Sequence, residues 1–247
     1  EATPQDWIFA LVSLQTMEGF GGAGNYGIAR MNGGSSSRVM LALAPATGAG
    51  RVVDPSAWWQ RDVMHLRAGR GGLRGQALLW CRPWSEGHQL DLQELDPLFI
   101  EVCRRVRLSK GGRGLHAERT TSKAARIAAK DAKGMTRDPW APVHLGEAKT
   151  LTLGDRDWTY NLLTELFYSG KWQMPALATE AVRERETAMV LVAEALARGN
   201  SKTDGFKSLV IPVPKLVRKE MFGRKAINLS IEQIKTIDLL DKALRDG

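Results

Sequence analysis

Residues 6–44, DWIFALVSLQTMEGFGGAGNYGIARMNGGSSSRVMLALA, place three kinds of local structure in one short stretch. Apolar side chains at helical spacing predict a buried helix over residues 6–18, with Asp6 positioned to cap it. Residues 19–34 contain seven glycines in sixteen positions, so regular structure is not expected there. Residues 38–44 then have the composition of a strand. A helix, a glycine-rich loop and a strand in succession favour an α+β fold.

The rest of the chain mixes the same two kinds of element. We expect further helices at residues 96–106, 122–133, 157–170 and 179–198, and a last one that begins at Ser230. Extended segments are expected at 76–81 and 209–214, and a hairpin tip at 109–114. No repeat and no low-complexity linker divides the chain. Residues 1–247 are therefore predicted to form a single globular α+β domain with glycine-rich loops and short sheets.

Length and composition are those of an ordinary globular protein. The chain has 247 residues, of which 43% are hydrophobic and 25% charged, which is enough for a core and excludes a mostly disordered chain. No apolar run approaches the ~20 residues that a membrane helix needs, and no signal peptide opens the sequence. Two cysteines and four scattered histidines provide neither a disulfide framework nor a zinc motif. We therefore expect a cytoplasmic protein with no membrane association, no metal and no cofactor.

The positive charge of the chain is concentrated in one window. The net charge is +8, which suggests a polyanionic partner. Residues 101–137 hold eleven basic and three acidic residues, so the window alone is +8 and the rest of the chain is neutral on balance. The basic residues are Arg104, Arg105, Arg107, Lys110, Arg113, Arg119, Lys123, Arg126, Lys130, Lys133 and Arg137. A surface for nucleic acid and an ordinary solvated face are both compatible with this pattern.

The glycine-rich stretch contains a literal G-x-G-x-x-G motif at Gly22, Gly24 and Gly27. Dinucleotide binding by such a motif requires a strand before it, a helix after it and an acidic residue about 20 positions further on. Here a predicted helix precedes the motif, and the next acidic residue is Asp54. A nucleotide-binding enzyme that uses residues 22–27 is therefore an alternative and not the favoured interpretation.

The same stretch has the side chains of a nucleic-acid-binding loop. Glycines let a backbone approach a ligand closely. Asn25, Tyr26, Arg30 and Asn32 add amide donors, an aromatic face and a cation, which suit phosphates or a DNA minor groove. A tight internal crossing of chain segments is the alternative explanation.

No catalytic arrangement is recognisable in the sequence. It contains no P-loop motif and no G-x-S-x-G nucleophile motif. Asp91, Glu94 and Asp96 form an acidic cluster, for which helix capping by Asp96 and solvent exposure of the other two are sufficient explanations. The candidates for base stacking, or alternatively for the core, are Trp58, Trp59, Trp80 and Trp84. We therefore do not expect an enzyme.

Several segments, taken in order, resemble one protein family. Residues 14–16 and 19–34 resemble the glycine-rich segment of the CasA family, the large subunit of the type I-E CRISPR surveillance complex Cascade. Further segments that resemble the family are 96–108, 121–130, 138–143 and 197–205. Together the segments span most of the chain.

The resemblance implies a non-catalytic subunit of a complex guided by CRISPR RNA (crRNA). Such a subunit recognises the protospacer-adjacent motif (PAM) in double-stranded target DNA, helps to open the duplex and supports recruitment of a helicase-nuclease. The implied partners are target DNA, crRNA, the other Cascade subunits and the helicase-nuclease. In guided complexes base pairing supplies the sequence specificity, and the protein recognises a short duplex element and backbone shape. A general basic RNA-binding protein is the second alternative.

The resemblance also implies which residues contact nucleic acid. The PAM-recognising glycine loop corresponds to residues 24–27, and the family's hairpin lysine corresponds to Lys110. The family's wedge segment corresponds to residues 199–202, where Asn200 serves as the asparagine and Ser201 stands at the position of the glutamine. The candidate residues are Gly22, Gly24, Asn25, Tyr26, Gly27, Arg30, Asn32, Lys110, Arg113, Asn200, Ser201 and Lys202.

The chain departs from the family in length. Family members usually have more protein before the first motif and a four-helix bundle at the C-terminal end. We expect this bundle to be absent or reduced here, in a chain that is either a fragment or a shortened form.

Overall fold

The structure is a computed structural model of the chain. It describes residues 2–17, 39–47, 52–72, 75–100, 102, 104–112, 114–179, 181, 184, 187–199, 202–213 and 224–246. The helices are α1 (Pro4–Met17), α2 (Pro55–Arg70), α3 (Tyr160–Tyr168) and α4 (Arg224–Asp246). The strands are β1 (Val39–Thr47), β2 (Val52–Val53), β3 (Gln76–Leu78), β4 (Leu90–Asp91), β5 (Leu95–Ile100), β6 (Arg105–Gly111), β7 (Gly114–Thr120), β8 (Ile127–Ala128), β9 (Val143–His144), β10 (Lys149–Thr150), β11 (Trp172–Gln173), β12 (Met189–Gly199) and β13 (Lys202–Val213). The predicted α+β class is confirmed.

The largest sheet has four strands in the order β13-β12-β1-β2. In its centre Leu191 of β12 lies opposite Leu43 of β1 on one side and Ile211 of β13 on the other. Successive side chains of a strand point to opposite faces of the sheet. Leu191 therefore packs into a core shared with α3, whereas Val190 packs on the other face with Trp58 of α2. The sheet is covered by a different helix on each face.

A second hydrophobic core lies among the short parallel strand pairs β3–β5 and β4–β8. Its buried members include Leu79, Leu90, Leu95, Phe99 and Ile127. Trp84 packs against this core from its edge. The core supports the segment from which the β6–β7 pair begins, because Arg105 at the start of β6 is hydrogen-bonded to the Trp84 carbonyl at 3.0 Å.

Residues 95–100 form strand β5, so the predicted helix at 96–106 is wrong. Asp96 is 1% exposed and forms an ion pair with Arg70 of α2. Its Oδ1 also accepts a hydrogen bond from the Leu98 amide at 2.9 Å. Aspartate followed by proline is a frequent helix start, but this carboxylate takes part in a tertiary ion pair that the local sequence does not reveal.

Two other helix predictions are also wrong. Residues 127–128 form the short strand β8 and turns follow it, in place of the helix at 122–133. Residues 189–199 form β12, in place of the second half of the helix at 179–198. β12 is buried on both faces of the sheet, which removes the alternation of polar and apolar residues that marks a half-exposed strand.

The remaining elements are mostly where the sequence predicts them. Helices α1 and α3, strand β1 and the extended segment in β13 are confirmed, and so is the last helix α4, although it begins at Arg224 and not at Ser230. The segment at 76–81 is extended only as far as Leu78 and ends in a single 3-10 turn. Helix α1 is not buried as predicted, since Phe9 is 75% and Ile8 57% exposed. None of the helices in the described ranges is long and apolar enough to cross a bilayer.

Helix α2 lies where no helix is predicted, although its start carries a clear local signal. The Asp54 Oδ1 accepts a hydrogen bond from the Ala57 amide at 3.0 Å, and Pro55 occupies the first turn. This is the Asp-Pro helix start that was expected at Asp96. The same dipeptide thus begins a helix at one position and lies within a strand at the other.

Candidate nucleic-acid interface

Strands β6 and β7 form a two-stranded antiparallel hairpin, and Lys110 lies next to its tip. The register ends with Gly111 opposite Gly114, which confirms the predicted turn at 109–114. Gly114 has a φ of +106°, a conformation that residues with a Cβ rarely adopt, so glycine is required there. All of β7 except Leu115 is exposed. The hairpin therefore projects from the molecule as a ribbon.

The two faces of this hairpin differ in charge. Lys110 and Arg119 lie on the same face, as the alternation of side chains along the paired strands requires. On the other face Arg107 lies opposite Glu118, whose carboxylate is 3.1 Å from the His116 imidazole. No acidic residue of β6 or β7 lies on the Lys110 face. A polyanion would be attracted to the Lys110 face more strongly than to the Arg107 face.

Two arginines at the base of the hairpin are used by the fold. Arg105 forms an ion pair with Glu86 at 2.9 Å. Arg126 is 1% exposed and donates a hydrogen bond to the Pro83 carbonyl at 2.9 Å. Both guanidinium carbons lie over the Trp84 ring, 5.4 and 5.6 Å from its centroid. The half-buried Trp84 ring therefore already contacts two cations, and this is a structural role for a side chain that the sequence offers as a base-stacking candidate.

The basic window of residues 101–137 is not one continuous surface. Arg137 donates a hydrogen bond to the Leu92 carbonyl at 2.7 Å. Like Arg105 and Arg126, it therefore binds a backbone carbonyl of the chain itself. Burial lowers the pKa of the Arg126 guanidinium, as is expected for a cation taken out of water. The exposed basic residues among the described part of the window are Arg107, Lys110, Arg119, Lys123, Lys130, Lys133 and Arg137.

The glycine-rich stretch itself, with the candidates Gly22, Gly24, Asn25, Tyr26, Gly27, Arg30 and Asn32, lies outside the described residues. The elements that flank it are described. On its N-terminal side the Gln15 side chain of α1 binds the backbone of Arg104, directly before β6. On its C-terminal side Val39 opens β1 opposite Ala195 of β12. The described residues on the two sides of the stretch thus contact the base of the β6–β7 hairpin and the strand β12, respectively.

This order of elements also bears on the nucleotide-binding alternative. The described element before residues 22–27 is helix α1, and the next described element is strand β1. A dinucleotide motif needs a strand first and a helix next. The flanking elements give no support to a nucleotide site at these glycines.

The predicted wedge residues lie at the end of the longest hairpin. β12 and β13 remain paired up to Gly199 opposite Lys202, with a shift of register shortly before this end. Lys202 is thus next to the connection between the strands. Asn200 and Ser201, which make that connection, lie outside the described residues, as does Arg113 of the other hairpin. Both candidate segments therefore occur where a hairpin reverses direction.

Other candidate residues have structural explanations. Asp91 caps a single 3-10 turn, since its Oδ1 accepts a hydrogen bond from the Gln93 amide at 2.9 Å. Asp91 and Glu94 are exposed, as expected, whereas Asp96 is buried. Trp80 is 47% exposed. Within the described residues no group of three or more His, Cys, Asp or Glu side chains is placed to hold a metal ion.

The fold is similar to that of a CRISPR protein of known structure. The structure of Thermus thermophilus CasA (Cse1) matches all of this chain and 54% of that chain, with a TM-score of 0.64 and 14% sequence identity. CRISPR-associated protein Cse1 from Acidimicrobium ferrooxidans matches 88% of this chain and 46% of that chain, with a TM-score of 0.48 and 14% identity. No protein-family model and no curated protein sequence matches the chain significantly.

The class that this likeness defines is a CasA-like α+β fold, as the sequence resemblance implied. The chain spans about half the length of the Thermus thermophilus protein. At 14% identity the likeness defines the fold, and the functional assignment therefore rests on the residues described above.

Proposed function

We propose that this chain is a non-catalytic subunit of a crRNA-guided surveillance complex of the Cascade type, in which it recognises the PAM of double-stranded target DNA. In this role it helps to open the duplex and supports recruitment of a helicase-nuclease. The observation that carries the proposal is the projecting β6–β7 hairpin, with Lys110 and Arg119 on one face, within a CasA-like fold.

The shape and charge of the hairpin suit contact with a DNA groove. A two-stranded ribbon is narrow enough to approach a DNA groove, and cations on one of its faces neutralise the phosphates on either side. In the minor groove the base pairs present few distinguishing donors and acceptors, so recognition there depends more on close approach of the protein backbone than on long side chains. A tip rich in glycine, with one long cationic side chain beside it, suits that geometry.

Gly112 at the tip supports this interpretation independently of charge. A Cβ added there would meet no atom within 4 Å, and its backbone does not have a positive φ. Neither internal packing nor backbone conformation therefore requires glycine at this position. A ligand that approaches the tip closely would account for the missing side chain.

The proposal predicts what the protein carries when it is isolated. Affinity purification of the tagged chain from its own cells, followed by sequencing of bound RNA and identification of bound proteins, is the direct test. A repeat-derived crRNA and the backbone subunits of a surveillance complex are the expected result. Recovery of ribosomal or heterogeneous cellular RNA without such subunits would support a general RNA-binding protein and contradict the proposal.

A further inference from the structure

Three arginines lie near one another beside the half-buried ring of Trp84, at the base of the β6–β7 hairpin. The guanidinium carbons of Arg105 and Arg126 are 5.4 and 5.6 Å from the ring centroid. Arg82 is exposed, its backbone carbonyl is 3.5 Å from Nη2 of Arg126, and its positive charge acts on that guanidinium. These four residues form the arginine cluster.

The carboxylate beside the arginine cluster is already occupied. Oε2 of Glu86 accepts a hydrogen bond from Nη1 of Arg105 at 2.9 Å, and Oε1 accepts one from the Lys123 amide at 2.8 Å. Among the residues that the structure describes, no other acidic side chain forms an ion pair with a member of the cluster. Three guanidinium groups therefore share one carboxylate, and the cluster carries an excess of positive charge.

Arg126 is the member of the cluster whose hydrogen bonding is incomplete. It is 1% exposed, and its Nη2 donates to the Pro83 carbonyl at 2.9 Å. Its Nη1 is buried and has no hydrogen-bond partner in the described part of the chain. Burial and the charges of Arg82 and Arg105 all lower the pKa of this guanidinium. Because buried cations are normally paired with an anion, Arg126 lacks the partner that its surroundings favour.

A ligand reaches the buried Nη1 only after a neighbouring side chain moves, and Arg82 is suited to such a movement. Its side chain is exposed, and within the described ranges its guanidinium forms no hydrogen bond or ion pair. A long exposed side chain without a partner changes rotamer at little cost. Arg82 can therefore move aside and then contribute its own donors to an anion that lies against Arg126.

We propose that the arginine cluster binds a phosphate group, which belongs either to a nucleic-acid strand or to free inorganic phosphate. A guanidinium presents its N–H groups as a planar fork that fits two phosphate oxygens. A tetrahedral phosphate has oxygens in several directions, so it can accept from Arg126 and Arg82 at once. Arg105 contributes its charge, since its donors already bind Glu86 and backbone carbonyls.

This site is separate from the DNA contact proposed for Lys110. Arg105 lies on the face of the hairpin that carries Arg107 and Glu118, whereas Lys110 lies on the opposite face. A phosphate at the arginine cluster is therefore not held by the Lys110 face. Either assignment can fail without the other.

Titration of the isotope-labelled full chain tests the proposal, because the Trp84 indole N–H and the Arg126 Nε–H signals report on the cluster directly. The probes are sodium phosphate and a short single-stranded oligothymidylate, and sodium chloride at equal ionic strength is the control. We expect saturable shifts of both signals with a phosphate probe and none with chloride. Saturation by the oligonucleotide at a lower phosphate concentration identifies a nucleic-acid strand as the source. Saturation by sodium phosphate alone identifies the free ion, and both results support the site.

Matched variants identify the groups responsible. Arg82→Ala changes an exposed side chain, so the fold is retained, and we expect it to weaken phosphate binding by ~10-fold or more because charge-assisted hydrogen bonds are lost. Arg126→Lys keeps the charge but removes the planar fork, and binding is expected to fall in the same way. Arg67→Ala is the control, since Arg67 is an exposed arginine of α2 outside the cluster.

Two results would overturn the proposal. The first is that neither phosphate probe shifts the Trp84 and Arg126 signals more than chloride does. The second is that Arg67→Ala weakens binding as much as Arg82→Ala does, because the anion would then be attracted by the overall positive charge and not by the cluster. If Arg126→Lys does not fold, the comparison of Arg82→Ala with Arg67→Ala decides alone.

Discussion

The Gln15 side chain forms two reciprocal hydrogen bonds with the backbone of Arg104. Gln15 Nε2 donates to the Arg104 carbonyl at 2.8 Å, and the Arg104 amide donates to Gln15 Oε1 at 2.9 Å. Gln15 is 3% exposed, although Ile8 and Phe9 earlier in the same helix are mostly exposed. This pair joins the helix that precedes the glycine-rich stretch to the base of the β6–β7 hairpin. One side chain thereby ties the last turns of α1 to the segment that enters β6.

Gln15→Ala is expected to lower the free energy of unfolding by about 1–3 kcal/mol, because the Arg104 amide and the Arg104 carbonyl each lose one hydrogen bond. Denaturation in urea measures the effect. Gln5→Ala is the control, since Gln5 lies on the same helix and is exposed. Equal effects of the two substitutions would show that the reciprocal pair contributes nothing specific.

Lys110→Ala and Arg119→Ala are each expected to reduce the slope of log affinity against log salt concentration by about 1, for duplex DNA bound to the assembled complex. Each substitution removes one cation from the face of the hairpin that lacks acidic residues. Arg107→Ala is the matched control, because Arg107 lies opposite Glu118 on the other face. If Arg107→Ala reduces the slope as much as Lys110→Ala does, the Lys110 face is not the one that contacts DNA. That result would contradict this orientation of the hairpin.

Gly112→Ala is expected to leave the fold intact and to weaken duplex binding. The added Cβ meets no atom of the chain, so the free energy of unfolding stays the same or rises by about 0.4–1 kcal/mol. Gly72→Ala is the control, since Gly72 has equally empty surroundings and no positive φ. If Gly112→Ala binds the duplex as the unmodified protein does, the tip does not approach DNA closely.

Asp62→Asn is expected to stabilise the chain at neutral pH but not in acid. Burial raises the pKa of Asp62 from 3.8 to about 6, so the folded state holds this proton more tightly than the unfolded state does. Stability therefore falls as the pH rises from about 4 to about 6, and the loss persists above that range. Asparagine cannot ionise and still accepts a hydrogen bond from Arg61, so the gain is about 1–2 kcal/mol at about pH 7.5.

Urea denaturation at about pH 4 and about pH 7.5 measures the difference between Asp62→Asn and the unmodified chain. Asp155→Asn, at an exposed position, is the control. A stability difference that is the same at both pH values would show that the charge of Asp62 has no cost in the folded state.

The sequence predicts the elements whose signals are local. The tip at residues 109–114 follows from its glycines, and α4 follows from the spacing of its apolar residues. The start of α2 has an equally local signal in Asp54 and Pro55, although no helix is predicted there. These signals depend on neighbours in sequence, so a single chain is sufficient to recognise them.

The wrong predictions share a different cause. Asp96 is held by an ion pair with Arg70, and β12 is buried by α2 on one face and the α3 core on the other. In both cases long-range packing overrides local propensity. Long-range packing also decides which residues of the basic window are exposed. Arg126 is buried against Trp84, whereas other cations of the window face solvent, and the sequence alone does not distinguish the two groups. The arginine cluster beside Trp84 also has no signal in the sequence, because its members come from separate elements.

PAM recognition by this chain is tested most directly with a library of duplexes that share one protospacer and differ in a short randomised segment beside it. The library is bound to complexes that contain either the unmodified chain or the Lys110→Ala or Asn25→Ala variant, with equal crRNA content as the control for assembly. We predict that the unmodified complex enriches a defined segment, with each disfavoured base pair costing about 1–3 kcal/mol, or about 5–150-fold. We also predict that both variants flatten this enrichment. No enrichment by the unmodified complex, or the same enrichment profile in all three complexes, would contradict recognition of the PAM by these residues.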